Sequence, residues 1–189
     1  MAKPSWDALY ETASSQDGYF TVQQAGEAGY SPQLLQRYLR GGRVRRAIRG
    51  VYQLVHFQPS EHEHLAVFWL WSERTGVFSH QTALEVHGLS DALKPDVELS
   101  LPGEWRSRRL RVPEGLLLHY ADIPSSERTW FGAVPVTTIR RTLQDCARDA
   151  VDPGLLRQAA QQALRRGIVT RAELHEVERV LVPYGGLSI

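Results

Sequence analysis

Apolar side chains recur at helical spacing in the first part of the chain. This periodicity predicts a helix over residues 6–15. A second helix should begin after Thr21, because its hydroxyl and the side chain of Gln24, three residues later, have the spacing of a capping box. That helix is expected to continue to Ala28. The chain therefore opens with two short helices.

A third helix is predicted over residues 31–40. Ser31 is a favourable N-cap, Pro32 suits the first helical position, and the pair Gly41 and Gly42 should end the helix. The apolar side chains then share one face, which should turn towards a core. They are Leu34, Leu35, Tyr38 and Leu39.

Residues 43–54 have the pattern of a β-hairpin. Apolar and β-prone side chains stand on both sides of Arg49 and Gly50, which can supply the turn. The order is thus helix, helix, short turn, helix, hairpin. This order predicts a winged helix-turn-helix.

The remaining chain predicts a mixed region. Residues 56–60, with Pro59, are expected to be a linker, so the predicted domains are residues 1–58 and 61–189. The overall class is α/β (α+β): an N-terminal winged helix-turn-helix, then a mixed α/β domain. The predicted strands are residues 97–101, 110–112, 116–120 and 134–137; the predicted helices are residues 61–72, 79–87, 140–148, 153–167 and a last one opened by a capping box of Thr170 and Glu173.

Charge is unevenly distributed although the net charge is only +1. Residues 31–60 contain six arginines and no acidic residue. Such a patch, on a helix followed by a hairpin, is typical of a surface that contacts nucleic-acid phosphates. The alternative is a solvated basic face on a structural helix pair.

The third helix also carries side chains suited to reading bases. The major groove admits one helix; arginine can pair with guanine and glutamine with adenine. The hairpin arginines should meet phosphates or a minor groove. The predicted DNA-binding residues are Thr21, Ser31, Gln33, Gln36, Arg37, Arg40, Arg43, Arg45, Arg46 and Arg49.

A second basic stretch predicts a partner-binding surface. On a strand, Leu110 and Val112 would share the buried face, while Arg109 and Arg111 share the exposed one beside Ser107. That stripe would suit an acidic protein surface or further DNA. A solvated strand face is the alternative.

Catalytic and metal sites are not expected. His62 and His64 are two residues apart, so they would point differently on a helix, and neither they nor His80 and His87 form a His-Glu-x-x-His pattern. Phosphate-binding, nucleotidyltransferase and nuclease motifs are missing, although an enzyme of nucleic-acid defence is the alternative class. Cys146 is expected to be a small buried apolar residue. We therefore expect no enzyme activity, no cofactor and no bound metal.

The compartment follows from cysteine content and hydropathy. One cysteine allows no intrachain disulfide, no apolar run approaches the roughly 20 residues of a membrane span, and the first ten residues lack the apolar core of a signal peptide. A cytoplasmic location is expected.

Several segments together resemble one family, the AbiEi-type antitoxins of bacterial abortive-infection, type IV toxin–antitoxin systems. The resemblance covers nearly the whole chain. Its segments are residues 18–25, 34–43, 46–52, 78–84 (Phe-Ser-His-Gln-Thr-Ala-Leu), 87–89, 134–138 and 141–143.

The resemblance implies a transcriptional repressor that binds inverted repeats at its own promoter. It also implies that the second domain helps to neutralise a nucleotidyltransferase-type toxin, in a system of antiviral defence. Relatives without a toxin are plain regulators, so a stand-alone winged-helix transcription regulator is the alternative. Double-stranded DNA is the expected partner in both cases.

Overall fold

A computed structural model describes residues 3–58, 60–90 and 96–187 of the chain. Pro59 of the expected linker lies outside these residues. The chain divides into two compact units. The N-terminal unit comprises Met1–Thr75 with Gly132–Val134, and the C-terminal unit comprises Gly76–Phe131 with Pro135–Ile189.

The predicted helices of the N-terminal unit are confirmed. They are α1 (Trp6–Ser14), α2 (Val22–Glu27), α3 (Pro32–Arg40) and α4 (Glu63–Trp71). The capping box of α2 is complete: Gln24 N donates to Thr21 Oγ1 at 3.2 Å, and Thr21 N donates to Gln24 Oε1 at 2.8 Å. Side chains within one turn of the helix start thus satisfy its first backbone donors.

A three-stranded antiparallel sheet closes this unit. Its strands are β1 (Tyr19–Thr21), β2 (Val44–Ile48) and β3 (Val51–Leu54), in the order β1-β3-β2. The hairpin of β2 and β3 is as predicted, and Gly50 at its turn has φ +86°. Strand β1 was not predicted, because three residues are too few to show a period of two.

The core of the N-terminal unit lies between α1–α3 and one face of the sheet. Leu9 and Phe20 have no exposed surface, and Leu35 is 4% exposed. Phe20 pairs across the strands with Tyr52, and their rings stack with centroids 5.9 Å apart. Burial of these side chains fixes the inward face of α3.

Helix α4 belongs to the N-terminal unit, which differs from the predicted boundary between residues 58 and 61. The Glu63 carboxylate accepts hydrogen bonds from Tyr19 Oη at 2.7 Å and from Gln53 Nε2 at 2.9 Å. These bonds tie the start of α4 to β1 and β3, so the compact unit extends to Thr75.

The C-terminal unit combines a mixed sheet with four helices among its described residues. The sheet order is β6-β5-β4-β8-β7, with β4 antiparallel to β5 and parallel to β8, and β5 parallel to β6. The predicted α/β class is confirmed. The elements are β4 (Val77–Phe78), α5 (His80–Val86), β5 (Val97–Leu101), β6 (Leu116–Tyr120), β7 (Arg128–Phe131), β8 (Val134–Thr137), α6 (Ile139–Arg148), α7 (Pro153–Arg165) and α8 (His175–Leu181).

Helices α5–α8 share one apolar core. Leu84, Leu143, Leu156 and Leu181 are fully buried within a single cluster. Cys146 is also buried there, as predicted. None of the described helices is both long and apolar enough to cross a membrane.

Two details of the prediction for this unit are wrong. Residues 110–112 form no strand, and Val112 is 45% exposed instead of buried. Pro113, directly after this segment, has no backbone N–H to donate to a neighbouring strand, which disfavours extension of a sheet strand here. Thr170 does bond Glu173, but only a 3-10 turn follows and α8 begins at His175.

We expect the fold to lose stability in mild acid through His87. Burial lowers the pKa of His87, against a smaller opposite effect of its 2.7 Å hydrogen bond to the Thr137 carbonyl. The unfolded chain, with histidine at its ordinary pKa of about 6.5, therefore binds protons first. The free energy of unfolding should be constant above about pH 6.5 and fall as the pH drops below it.

The measurement is urea unfolding between pH 5.5 and 8. His87→Gln, which keeps an amide donor and cannot titrate, should weaken this dependence; His175→Gln, at an exposed site, should leave it unchanged. An equal dependence in the wild type and His87→Gln would contradict the assignment.

Candidate nucleic-acid interface

Helix α3 presents a polar face to solvent. Gln33, Gln36, Arg37 and Arg40 are all exposed, at positions i, i+3, i+4 and i+7 of one helix face. Leu35 on the opposite face is buried. The sequence-predicted base-reading residues are thus brought together on one surface.

Aromatic contacts of Tyr38 hold α3 in this orientation. Its ring stacks on Trp6 with centroids 5.7 Å apart and meets Tyr30 edge-on at 5.3 Å. Burial, with a hydrogen bond to Tyr38, raises the pKa of Tyr30 to about 12. The Tyr30 phenol therefore serves as a neutral packing group rather than as a charge at the interface.

The turn after α3 carries the next arginine. Gly42 has φ +68°, a left-handed conformation that L side chains rarely adopt, and it directs Arg43 back over the helix. The Arg43 guanidinium lies 5.5 Å from the centroid of the Tyr38 ring. Arg37, Gly41 and Arg43 together line one open concavity on the surface.

The hairpin arginines are not equivalent. Arg45 donates from Nε to Gln53 Oε1 at 2.6 Å, and Gln53 in turn donates to Glu63. Arg46 points to the other face, where its guanidinium lies 5.8 Å from the Tyr52 ring centroid. Arg49 is exposed at the turn. Arg45 is therefore partly committed to the fold, whereas Arg49 extends into solvent.

Thr21 and Ser31 serve as helix caps. Their hydroxyl oxygens accept from the backbone N–H groups of Gln24 and Leu34, each at 3.2 Å. Each hydroxyl still has its own hydrogen to donate, and a helix start favours a phosphate. Their predicted contact with DNA stays a prediction.

The charge of the surface is available to a ligand. Among residues 3–58, 60–90 and 96–187, no ion pair engages Arg37, Arg40, Arg43, Arg46 or Arg49. Five guanidinium groups without acidic partners form an electropositive surface that attracts a polyanion.

The second basic stretch does not form the predicted stripe. Arg109 and Arg111 are exposed, but they lie in irregular chain after the 3-10 turn Gly103–Ser107. Arg108 instead covers the ring of buried Trp105, 3.9 Å from its centroid. The alternation that suggested a strand face is therefore missing, and a partner role of Arg109 and Arg111 stays a prediction.

The hydrogen bonds from Tyr19 and Gln53 to the Glu63 carboxylate were not predicted from the sequence. Burial, followed by the hydrogen bond to Glu63, raises the pKa of Tyr19 above its ordinary value. Glu63 is ten residues from Gln53 and 44 from Tyr19 in sequence, beyond the reach of local pattern rules. The only local signal is a glutamine inside an otherwise apolar strand.

Comparison with known proteins finds one family model that is similar to part of the N-terminal unit. Residues 7–55 match the family model described as a transcriptional regulator, AbiEi antitoxin. Over these residues, the resemblance to AbiEi-type antitoxins drawn from the sequence is confirmed. No curated protein matches the chain.

One solved structure is similar over most of its length. It is the crystal structure of the RV2827C protein from Mycobacterium tuberculosis, with a TM-score of 0.54 and 15% sequence identity. The match covers 98% of this chain and 73% of that chain. At this identity, the likeness concerns the fold alone.

We expect the hairpin arginines to differ in how much each contributes to the salt dependence of DNA binding. Each phosphate contact contributes about −0.9 to the slope of log affinity against log salt. The double variant Arg46→Ala/Arg49→Ala should therefore flatten the slope by roughly two units. Arg45→Ala should change it less and should lower the midpoint of urea unfolding, because Gln53 loses a charged donor.

The matched control is Arg165→Ala/Arg179→Ala, which removes two exposed arginines of α7 and α8. If the hairpin and control variants give the same slope, the hairpin makes no contact with DNA.

Proposed function

We propose that the chain is a transcriptional repressor that binds double-stranded DNA through a winged helix-turn-helix. Helix α3 enters the major groove, and the β2–β3 hairpin is the wing on the adjacent backbone. The observation that carries the proposal is the exposed face of Gln33, Gln36, Arg37 and Arg40 on α3. No acidic partner engages either arginine among the described residues.

The arrangement of elements supports this docking mode. Helices α2 and α3 are joined by a short turn through Gly29, and the hairpin follows α3 directly. Strand β1, between α1 and α2, pairs with β3 and anchors the hairpin to the helices. The second helix of such a pair is the one that reads bases.

The regulatory role proposed is that of an antitoxin. The AbiEi match of residues 7–55 supports a repressor of its own promoter, bound at inverted repeats. The C-terminal unit would then neutralise a nucleotidyltransferase-type toxin in bacterial antiviral defence, with no enzymatic step in this chain and a cytoplasmic location. Exposed Arg109 and Arg111 are the residues proposed for that contact.

A stand-alone regulator is the second candidate. The family match ends at residue 55, so none of the matched residues lies in the C-terminal unit. A toxin gene beside this one, whose product is harmless only in the presence of this chain, distinguishes the antitoxin from the plain regulator.

The experiment that tests repression is a footprint on the DNA upstream of the chain's own gene, at two salt concentrations. A repressor of inverted repeats should protect two half-sites whose centres are one helical turn, about 10 bp, or a multiple apart. Specific protection should outlast non-specific binding at the higher salt. Uniform coverage that disappears with salt would contradict operator recognition.

Base reading is tested on α3. Arg37→Ala or Arg40→Ala should cost about 1–3 kcal/mol on the specific site if the arginine pairs with a base, and less on random DNA. Arg179→Ala in α8 is the control for loss of one exposed charge. Equal losses on both DNAs would assign the arginine to the phosphate backbone instead.

A further inference from the structure

The C-terminal unit contains a cluster of two histidines and two carboxylates. His119 Nε2 lies 2.9 Å from Glu98 Oε2, and His119 Nδ1 lies 3.0 Å from Asp149 Oδ2. His80 Nε2 lies 3.2 Å from the same Asp149 oxygen. Four residues from four different elements thus meet at one point.

The ring nitrogens of this cluster have distinct surroundings. One nitrogen of each ring is held by a buried oxygen: His119 Nε2 by Glu98, and His80 Nδ1 by Ser79 Oγ at 2.9 Å. The other nitrogen of each ring faces the Asp149 carboxylate. A metal-binding histidine is oriented in this way, with a carboxylate or another oxygen on the nitrogen away from the ion.

The fold constrains both rings. They stack with centroids 3.7 Å apart and planes 15° apart. His80 has φ +52°, in the left-handed region that L residues rarely adopt. Strained backbone of this kind often marks a functional site. His119 lies opposite Ser100 in the register of β5 and β6, on the same face as Glu98.

Electrostatics favour a cation in the cluster. Two carboxylates, those of Glu98 and Asp149, contact the two rings, and Glu98 is only 3% exposed. The neighbouring Asp145 is already paired with Arg141 at 2.8 Å.

We infer that His80 Nε2, His119 Nδ1 and the Asp149 carboxylate bind one divalent transition-metal ion, with Glu98 and Ser79 as positioning residues. Two ligands held about 2.1 Å from one ion at tetrahedral or octahedral angles are roughly 3.0–3.4 Å apart, close to the observed N–O distances. Two imidazoles and one carboxylate are a donor set that zinc accepts, with water completing the coordination.

Access to the site is through Asp149. Its side chain is 49% exposed at the C-cap of α6, whereas the side chains of His80 and Glu98 are 6% and 3% exposed. A rotation of Asp149 opens the position between its carboxylate and the two rings. The two rings must also tilt out of their near-parallel stack for their in-plane lone pairs to converge on one ion.

This site also explains the Ser-His-x-Thr segment at residues 79–82. Ser79 Oγ bonds both the His80 ring and Ser100 Oγ, the latter at 2.7 Å. Thr82 Oγ1 accepts from the backbone N–H of Glu98 at 2.8 Å. Ser79 and Thr82 thus each contact a member of the cluster.

The test is zinc binding by the untagged full-length chain. The protein is stripped with a chelator, and zinc chloride is titrated in competition with a chromophoric zinc chelator. Elemental analysis then gives the stoichiometry. We expect one zinc per chain. Asp149→Asn and His119→Asn should weaken it at least tenfold, and Glu98→Gln by about 10–100-fold.

His175→Asn, at an exposed site in α8, is the matched control and should bind zinc like the wild type. Circular dichroism verifies that each variant is folded, and Asp149→Asn, at a half-exposed position, keeps the test meaningful if a histidine variant unfolds. The inference is overturned if the wild type binds no stoichiometric zinc at micromolar concentrations. It is equally overturned if Asp149→Asn and His119→Asn bind zinc as tightly as the wild type.

Discussion

The packing of Tyr38 is the constraint on which the N-terminal unit depends. Its ring lies between Trp6 and Tyr30, with the Arg43 guanidinium above it. Aromatic pairs contribute about 0.5–1.5 kcal/mol each beyond the burial of their area. Because successive helical residues are 100° apart, anchoring this position turns the Gln33–Arg40 face of α3 outwards. The packing of one half-buried ring thus determines which side chains of the helix can contact a nucleic acid.

Local signals allowed much of this unit to be predicted from the sequence. The capping box of Thr21 and Gln24 and the Ser31–Pro32 helix start involve residues at most three positions apart, and both are found in the structure. The exposed face of α3 follows from the same periodicity. These features depend on neighbouring residues alone, so a sequence displays them directly.

Features that depend on distant residues could not be predicted in this way. Strand β1 is defined by its pairing with β3, some thirty residues later, and β4 has only two residues. The cluster around His119 joins residues up to 69 positions apart, from His80 to Asp149. In the sequence, the nearest histidines to His80 are His62, His64 and His87, whose spacing predicts no metal site. Residues 110–112 show the opposite error: apolar and basic residues alternate there, but the segment pairs with no neighbouring strand.

The hydrogen bonds between Glu63 and the sheet determine where the protein can be divided into fragments. A fragment that ends at residue 58 would leave the Tyr19 hydroxyl and the Gln53 amide with water in place of a carboxylate, and Arg45 without the anion beyond Gln53. An insertion or a domain exchange at residue 58 would therefore disrupt the hydrogen bonds of Tyr19 and Gln53 to Glu63. A fragment boundary after Thr75 lies beyond the end of α4, so the sheet keeps its hydrogen bonds to Glu63.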